Sequence, residues 1–185
     1  DLLLEHQNWL MDAIQLESGK ARRHAFEEIA ETATTARHYA RAGESYLRPK
    51  RRLGALPLLT QPVEHHRPKG VVGLVSPWNY PLSLSISDAL PALLAGNAVV
   101  LRPDLQATLT ALRGAELLRR AGLPDGLLEI VVGDGPTTGQ AVVEQADYIS
   151  YTGSTATGRA VAVMAAGRLV GASLELGGKN SLYVA

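Results

Sequence analysis

Short apolar segments alternate with helical segments from Gly70 to the last residue of the chain. This alternation predicts βαβ units, in which consecutive strands are parallel and the helical crossovers between them are right-handed. The predicted strands cover 71–76, 97–103, 126–133, 147–153 and 170–178, and a sixth begins at 181. The predicted helices cover 81–96 (with a kink or break at Pro91), 107–121, 136–146 and 154–167.

The predicted strands are apolar on both faces, as expected where helices cover both sides of a sheet. The fold class is therefore α/β, with a Rossmann-like open parallel sheet over residues 70–185. Ligands of such sheets bind at the carboxyl ends of the strands, so the residues that follow each strand are the candidates for function.

Two other regions precede the sheet. Residues 1–46 are predicted to be helical, and residues 47–69 are predicted to be an extended connector with room for one exposed edge strand, used in oligomerisation. The helical prediction rests on apolar residues that share one face, with Arg and Glu on the other: Leu3, Leu10, Ile14, Phe26, Ile29, Ala33, Ala36 and Ala40. The connector prediction rests on four prolines: Pro49, Pro57, Pro62 and Pro68.

Composition excludes several classes of function. The 18 Lys and Arg residues balance 18 Asp and Glu residues, which argues against a nucleic-acid partner. The longest apolar run, 89–101, is interrupted by Pro91, Gly96 and Asn97, so no membrane span is expected, and no signal peptide is expected either. We therefore expect a cytoplasmic protein. Because the chain has no Cys and its five His residues lack supporting ligands, no metal site is expected.

The first predicted strand is followed by "SPWNYP", residues 76–81. Pro77 and Pro81 stiffen this loop at the edge of the sheet where ligands bind. Asn79 could donate its side-chain amide to a developing oxyanion there. Helix capping or turn formation accounts for an asparagine in this position equally well.

Two glycine-rich loops follow the third and fourth strands. "GDGPTTG" (133–139) is one residue longer than the dinucleotide fingerprint, and a simple glycine turn explains it as well. "YTGSTATGR" (151–159) opens a helix whose first amides, with Ser154 and Thr155, could contact an anion. Arg159 stands where a Walker-type loop has Lys, so a dinucleotide phosphate and an ordinary capped helix remain the alternatives.

Glu175 is the only acidic residue of the fifth predicted strand. Alternation puts Leu174 and Leu176 on one side of the sheet and Ser173 and Glu175 on the other. A carboxylate in a desolvated sheet would have a raised pKa and could act as a general base near neutral pH. An ordinary polar residue at a strand end is the competing interpretation.

Five stretches in order, "SPWNYP", "AGNAVVLRP", "AGLPDGLLEIVVGDG", "YTGSTATGR" and "LELGGKN", resemble the aldehyde dehydrogenase superfamily. The resemblance extends from "ESGK" (17–20) to the last residue, and residues 55–81 are most similar to the bacterial succinate-semialdehyde dehydrogenases. It implies that a cysteine thiolate attacks the aldehyde, that hydride passes to NAD or NADP, and that an activated water hydrolyses the resulting thioester. The substrate implied is a small aldehyde, with succinate semialdehyde as a candidate, and the full-length protein is expected to be a homo-oligomer.

The resemblance also implies roles for individual residues. Asn79 matches the oxyanion-binding asparagine, and Glu175 matches the base that activates water. The implied cofactor contacts are Ser76, Trp78, Asn79, Arg102, Asp104, Leu105, Gly135, Pro136, Gly153, Ser154 and Leu176. Two positions depart from the family pattern: Arg102 replaces a lysine, and Leu105 stands where members that favour NAD carry a glutamate. Since a carboxylate at 105 would repel a 2′-phosphate, the sequence favours NADP or dual use.

The family's nucleophilic cysteine lies a few tens of residues beyond the "ELGG" motif, and the sequence ends before it. We therefore expect a fragment, truncated before the catalytic domain, that is inactive by itself. The alternatives are a dinucleotide-binding module without catalysis and a structural or assembly partner that pairs through residues 47–69.

Overall fold

The structure is a computed structural model that describes residues 1–56 and 59–184. Pro57, one of the connector prolines, and Ala185, in the predicted sixth strand, lie outside the described residues. Three helices open the chain: α1 (Leu2–Glu5), α2 (Gln7–Ser18) and α3 (Arg22–Leu47). The connector contains two short antiparallel strands, β1 (Lys50–Arg51) and β2 (Val63–Glu64), where one strand was predicted.

Five parallel strands and four helices follow. The strands are β3 (Val71–Ser76), β4 (Ala98–Pro103), β5 (Leu128–Ile130), β6 (Tyr148–Gly153) and β7 (Gly171–Leu176). The helices are α4 (Asp88–Leu94), α5 (Thr108–Arg120), α6 (Gln140–Gln145) and α7 (Thr155–Gly167). Pro91 lies inside α4, and two π-helical turns, Ser83–Ser87 and Gly135–Gly139, precede α4 and α6.

The five strands form one sheet in the order β5-β4-β3-β6-β7, with parallel pairing throughout. The α/β class and the parallel Rossmann-like sheet predicted from the sequence are confirmed. No described helix is long and apolar enough to cross a membrane.

Helices cover the two faces of the sheet, and each face has its own core. On the α3 side, Val72 and Leu74 of β3 pack with residues of α2 to α5. On the α7 side, Val75 packs with Ile149 and Tyr151 of β6 and with residues of α6 and α7. This alternation within β3 is the period of two that a strand buried on both faces requires.

Three details differ from the sequence prediction. Phe26 is exposed, because the buried stripe of α3 runs through Ala25, Ile29 and Ala33, and that stripe includes the acidic Glu28. β5 covers only Leu128–Ile130 of the predicted 126–133, and Arg102 donates a hydrogen bond to the carbonyl of Gly133 beyond its end. Residues 181–184 are exposed and form no strand.

Candidate functional site

The chain changes direction across the sheet between β3 and β6. β4 and β5 lie on one side of β3, and β6 and β7 lie on the other. Adjacent strands whose connections leave in opposite directions open a crevice at their carboxyl ends. This crevice, lined by the ends of β3, β4 and β6 and by α6 and α7, has a volume of about 540 Å³.

Most of the predicted cofactor contacts come together in this crevice. The predicted contacts that line it are Ser76, Trp78, Arg102, Asp104, Gly135, Pro136, Gly153 and Ser154. Asn79, Leu105 and Leu176 lie outside its lining. Leu105 is 53% exposed in the turn that follows Asp104, and Leu176 packs near Gly158 of α7.

One end of the crevice contains a buried guanidinium between two capped turns. Arg102 is 8% exposed, and its Nε donates to the carbonyl oxygen of Gly133 (3.0 Å). The carboxylate of Asp104 accepts from the amide of Gln106, and that of Asp134 accepts from the amide of Thr137. The bond from Thr137 holds the pKa of Asp134 below its ordinary value, and the charge of Arg102 contributes to the same effect.

The other end of the crevice is the start of α7. Ser154 is the N-cap, and its Oγ accepts from the amide of Thr157 (3.2 Å). The helix of 13 residues carries the partial positive charge of its N-terminus to this point. The ordinary N-cap predicted as one alternative is therefore present, and it leaves the earlier amides of the helix available to an anion.

The loop after β3 separates the crevice from the α3 side. Trp78 is 46% exposed at the mouth of the crevice. Asn79 is also exposed, and its side chain makes no hydrogen bond within the described part of the chain, so it caps neither a turn nor a helix. Ser76 is buried and turned to the α3 side, where its Oγ lies 2.9 Å from Oγ of Ser85.

Glu175 lies near the end of β7 and pairs in register with Thr152 of β6. Leu174 packs into the core of the α7 side, so the side chain of Glu175 points to the α3 side, as alternation predicts. The prediction of a desolvated carboxylate is wrong for this chain. Glu175 is exposed, because β7 is an edge strand whose residues are mostly uncovered.

A second cavity, of about 610 Å³, opens on the α3 side; we call it the α3 cavity. Its lining is polar: Lys20, His24, Glu27, Glu28, Glu31, Tyr80 and Ser83. Glu28 is buried, forms an ion pair with Lys20 (2.6 Å), and accepts from the amides of Leu82 and Ser83 (2.8 and 3.0 Å). Through these bonds, Glu28 attaches α3 to the segment that follows Asn79.

The aldehyde dehydrogenase family matches residues 1–185. The chain belongs to the aldehyde dehydrogenase family. A relative from Mycolicibacterium smegmatis, named putative succinate-semialdehyde dehydrogenase [NADP(+)], is 53% identical over 184 residues, which are 100% of this chain and 36% of the relative. The chain thus spans about a third of the length of the curated relatives it matches.

Solved structures of aldehyde dehydrogenases have the same fold. A NAD-dependent benzaldehyde dehydrogenase from Corynebacterium glutamicum is 35% identical with a TM-score of 0.87, and the match covers 96% of this chain and 38% of that one. A NADP-dependent glyceraldehyde-3-phosphate dehydrogenase from Bacillus halodurans, complexed with NADP, is 33% identical with a TM-score of 0.88, covering 97% and 38%. The predicted membership of this family is confirmed.

Sequence reasoning missed the acidic residues of the α3 side in this aldehyde dehydrogenase chain. Asp88 begins α4 half-buried, and burial raises its pKa from 3.8 to about 6, with the charges of Glu31 and Glu175 acting in the same direction. In the sequence, an aspartate that follows a serine at the start of a helix is typical of an ordinary helix cap, so Asp88 gave no functional signal. Only the position of "SLSIS" against β3 and α3 brings Asp88 towards Glu175.

Proposed function

We propose that this chain is the dinucleotide-binding part of an enzyme that oxidises an aldehyde to a carboxylic acid with NADP or NAD, and that NADP is favoured. The observation that carries the proposal is the crevice between β3 and β6, which brings together eight of the residues expected to contact the cofactor. The bound dinucleotide would supply the hydride acceptor. The name of the Mycolicibacterium relative makes succinate semialdehyde the first aldehyde to test.

The crevice suits a dinucleotide phosphate at each end. The N-terminus of α7, with Gly153 and Ser154, would hold the pyrophosphate. At the other end, only Nε of Arg102 is bonded within the described residues, so its two terminal nitrogens could donate to a 2′-phosphate. The nearby carboxylates of Asp104 and Asp134 are each engaged by a backbone amide, which reduces their repulsion of a phosphate.

Asn79 and Glu175 would supply the chemistry. The unengaged amide of Asn79 would donate to the oxygen of the aldehyde as negative charge develops on it. Glu175 would take a proton from the water that attacks the thioester. Because the chain contains no cysteine, the nucleophile would come from polypeptide beyond these 185 residues, and we expect the chain alone to bind the cofactor without oxidising aldehydes.

A fluorescence titration of the chain with NADP and NAD tests the binding step. The chain has two tryptophans, Trp9 and Trp78. Replacing Trp9 with Phe leaves Trp78, at the mouth of the crevice, as the only tryptophan reporter. We expect saturable quenching, with tighter binding of NADP. If neither dinucleotide gives saturable binding, the proposal fails; aldehyde oxidation by the isolated chain would refute the assigned need for an external cysteine.

We also propose that the full-length protein is a homo-oligomer that uses the β1–β2 ladder. Both strands are largely exposed. They pair only with each other within the described residues, so each has unpaired backbone groups along its outer edge. Light scattering of the full-length protein and of a Val63→Pro variant tests this proposal. We expect the variant to dissociate; an unchanged mass would count against the ladder.

A further inference from the structure

Three residues form a row across the carboxyl end of the sheet. Glu175 pairs with Thr152, and Val75 pairs with Tyr151, so Thr152 lies level with Ser76. The three side chains point to the α3 side, because Leu174, Tyr151 and Val75, which precede them, all pack on the α7 side. Two strand spacings separate Glu175 from Ser76, a distance of about 10 Å.

The Ser83–Ser87 turn packs against the Ser76 end of this row. Oγ of Ser85 lies 2.9 Å from Oγ of Ser76, which fixes the turn against the end of β3. Asp88 follows Ser85 by three residues, so it lies on the same face of the helical segment, one turn further on. The sheet and the turn thus place Asp88 and Glu175 on the same side of the same edge.

Glu31 extends this acidic row to the surface. Oγ of Ser83 donates to Glu31, which connects α3 to the turn that leads into Asp88. Glu31 lines the α3 cavity and is exposed. Within residues 1–56 and 59–184, none of Glu31, Asp88 and Glu175 forms an ion pair, whereas Lys20 of the same cavity is paired with Glu28.

Ser87 provides an independent sign that a small hydrogen-bonding molecule belongs in this region. It is 7% exposed, and its Oγ has no hydrogen-bond partner among the described residues. It follows Ser83 by one turn, so it lies on the face whose Ser83 hydroxyl reaches Glu31. A buried hydroxyl without a partner requires an explanation, and a water molecule that bridges neighbouring polar groups is the usual one.

We propose that Asp88 is a positioning residue that acts through Glu175. Asp88 accepts, through a water molecule, the proton that Glu175 has taken from the attacking water. Asp88 then passes this proton by way of Glu31 to solvent. This inference rests on the proposed function. Each hydrolysis leaves one proton on Glu175, and that proton must leave before the carboxylate can act again. The transfer returns Glu175 to its charged form and moves the proton to Asp88, then to Glu31, then to bulk water, with no other bond changed.

The electrostatics of the region support this route. Burial raises the pKa of Asp88 to about 6, and the charges of Glu31 and Glu175 contribute, so this carboxyl group can gain and lose a proton near neutral pH. β3 has no titratable side chain, and Arg102 of β4 lies in the crevice on the other side of the sheet. The titratable groups that line the α3 side of the site are Lys20, His24, Glu27, Glu28, Glu31, Tyr80 and Glu175.

The test uses the full-length protein, its Asp88→Asn variant, and Glu44→Gln as a control. Glu44 is an exposed carboxylate on the same helix as Glu31, remote from the site. Two quantities are measured from pH 5 to 9: kcat, and the burst of reduced cofactor in the first turnover. We expect Asp88→Asn to keep the burst, to lower kcat roughly tenfold, and to move the acid limb of the profile about half a pH unit lower.

The shift has this direction because Asp88, whose pKa burial raises to about 6, is protonated below that pH and cannot then accept a proton, whereas the variant has no carboxyl group at this position to titrate. Asp88→Glu should restore most of kcat, and Glu31→Gln, at an exposed position, should move the profile in the same direction by less. An Asp88→Asn profile that coincides with the wild-type profile would overturn the proposal, as would loss of the burst. If the wild-type protein reduces no cofactor with any aldehyde, the proposed function fails instead.

Discussion

The two sides of the sheet use polar residues in opposite ways. On the α7 side, the polar groups around the crevice are engaged in local structure: Asp134 and Ser154 cap turns, and Arg102 holds the carbonyl of Gly133. On the α3 side, Asp88 is half-buried and Glu31 lines the α3 cavity, and neither carboxylate forms an ion pair within residues 1–56 and 59–184. A crevice whose polar groups are held by local hydrogen bonds is suited to binding, and a region with several carboxylates outside ion pairs is suited to moving protons. Variants on the α3 side should therefore change turnover, and variants on the α7 side should change affinity.

The largest effect should come from Glu175→Gln in the full-length protein. We expect steady-state turnover to fall by about 10²- to 10⁴-fold, because the amide cannot take a proton from water. The first-turnover burst of reduced cofactor should remain, since hydride transfer precedes hydrolysis. Glu129→Gln, at another exposed strand glutamate, is the matched control. Normal turnover in Glu175→Gln would show that Glu175 is not the base and that the α3 side has no chemical role.

Arg102→Met should have the next largest effect, on binding alone. We expect affinity for NADP to fall roughly 10- to 100-fold, the value of one or two charge-assisted hydrogen bonds, with a smaller loss for NAD. Arg102→Lys should recover part of the loss, whereas Arg119→Met, at the exposed end of α5, should change neither constant. Equal losses for the two dinucleotides would mean that Arg102 acts through the Gly133 turn and does not contact the 2′-phosphate.

The two sides also differ in how well the sequence predicts them. The crevice was predictable, because β3, β4 and β6 are apolar segments with Trp78, Arg102 and Gly153 at or near their carboxyl ends, and parallel strands bring such residues to one edge. The side to which Glu175 points followed from the period of two. The exposure of Glu175 could not be predicted, because the exposure of an edge strand depends on which other part of the protein covers it.

The acidic row was not predictable from local sequence. Glu31 has the spacing of an exposed helix residue, and Asp88 resembles a capping residue. Glu28 can be buried in α3 because the amides of Leu82 and Ser83, 54 and 55 residues away in sequence, donate to its carboxylate. Long-range contacts of this kind leave no periodic signal. Phe26 is the converse error, since an aromatic residue at plausible spacing lies outside the buried stripe.

The smallest expected effect concerns stability and also separates the two sides. The pKa of Asp88 is raised from 3.8 to about 6 in the folded protein, so between these values the folded state holds a proton that the unfolded state has lost. The favourable contribution of Asp88 to the free energy of unfolding is therefore complete below about pH 4 and is lost as the pH rises through about 6. Asp88→Asn should stabilise the full-length protein by about 1 kcal/mol at pH 8, a figure reduced from the full shift because the group is partly exposed, and by nothing at pH 4. Thermal unfolding at both pH values checks this, with Glu44→Gln expected to show no difference between them. Equal effects of Asp88→Asn at the two pH values would mean that burial and acidic neighbours do not raise the pKa of Asp88. The α3 side would then not differ from the α7 side in its electrostatics.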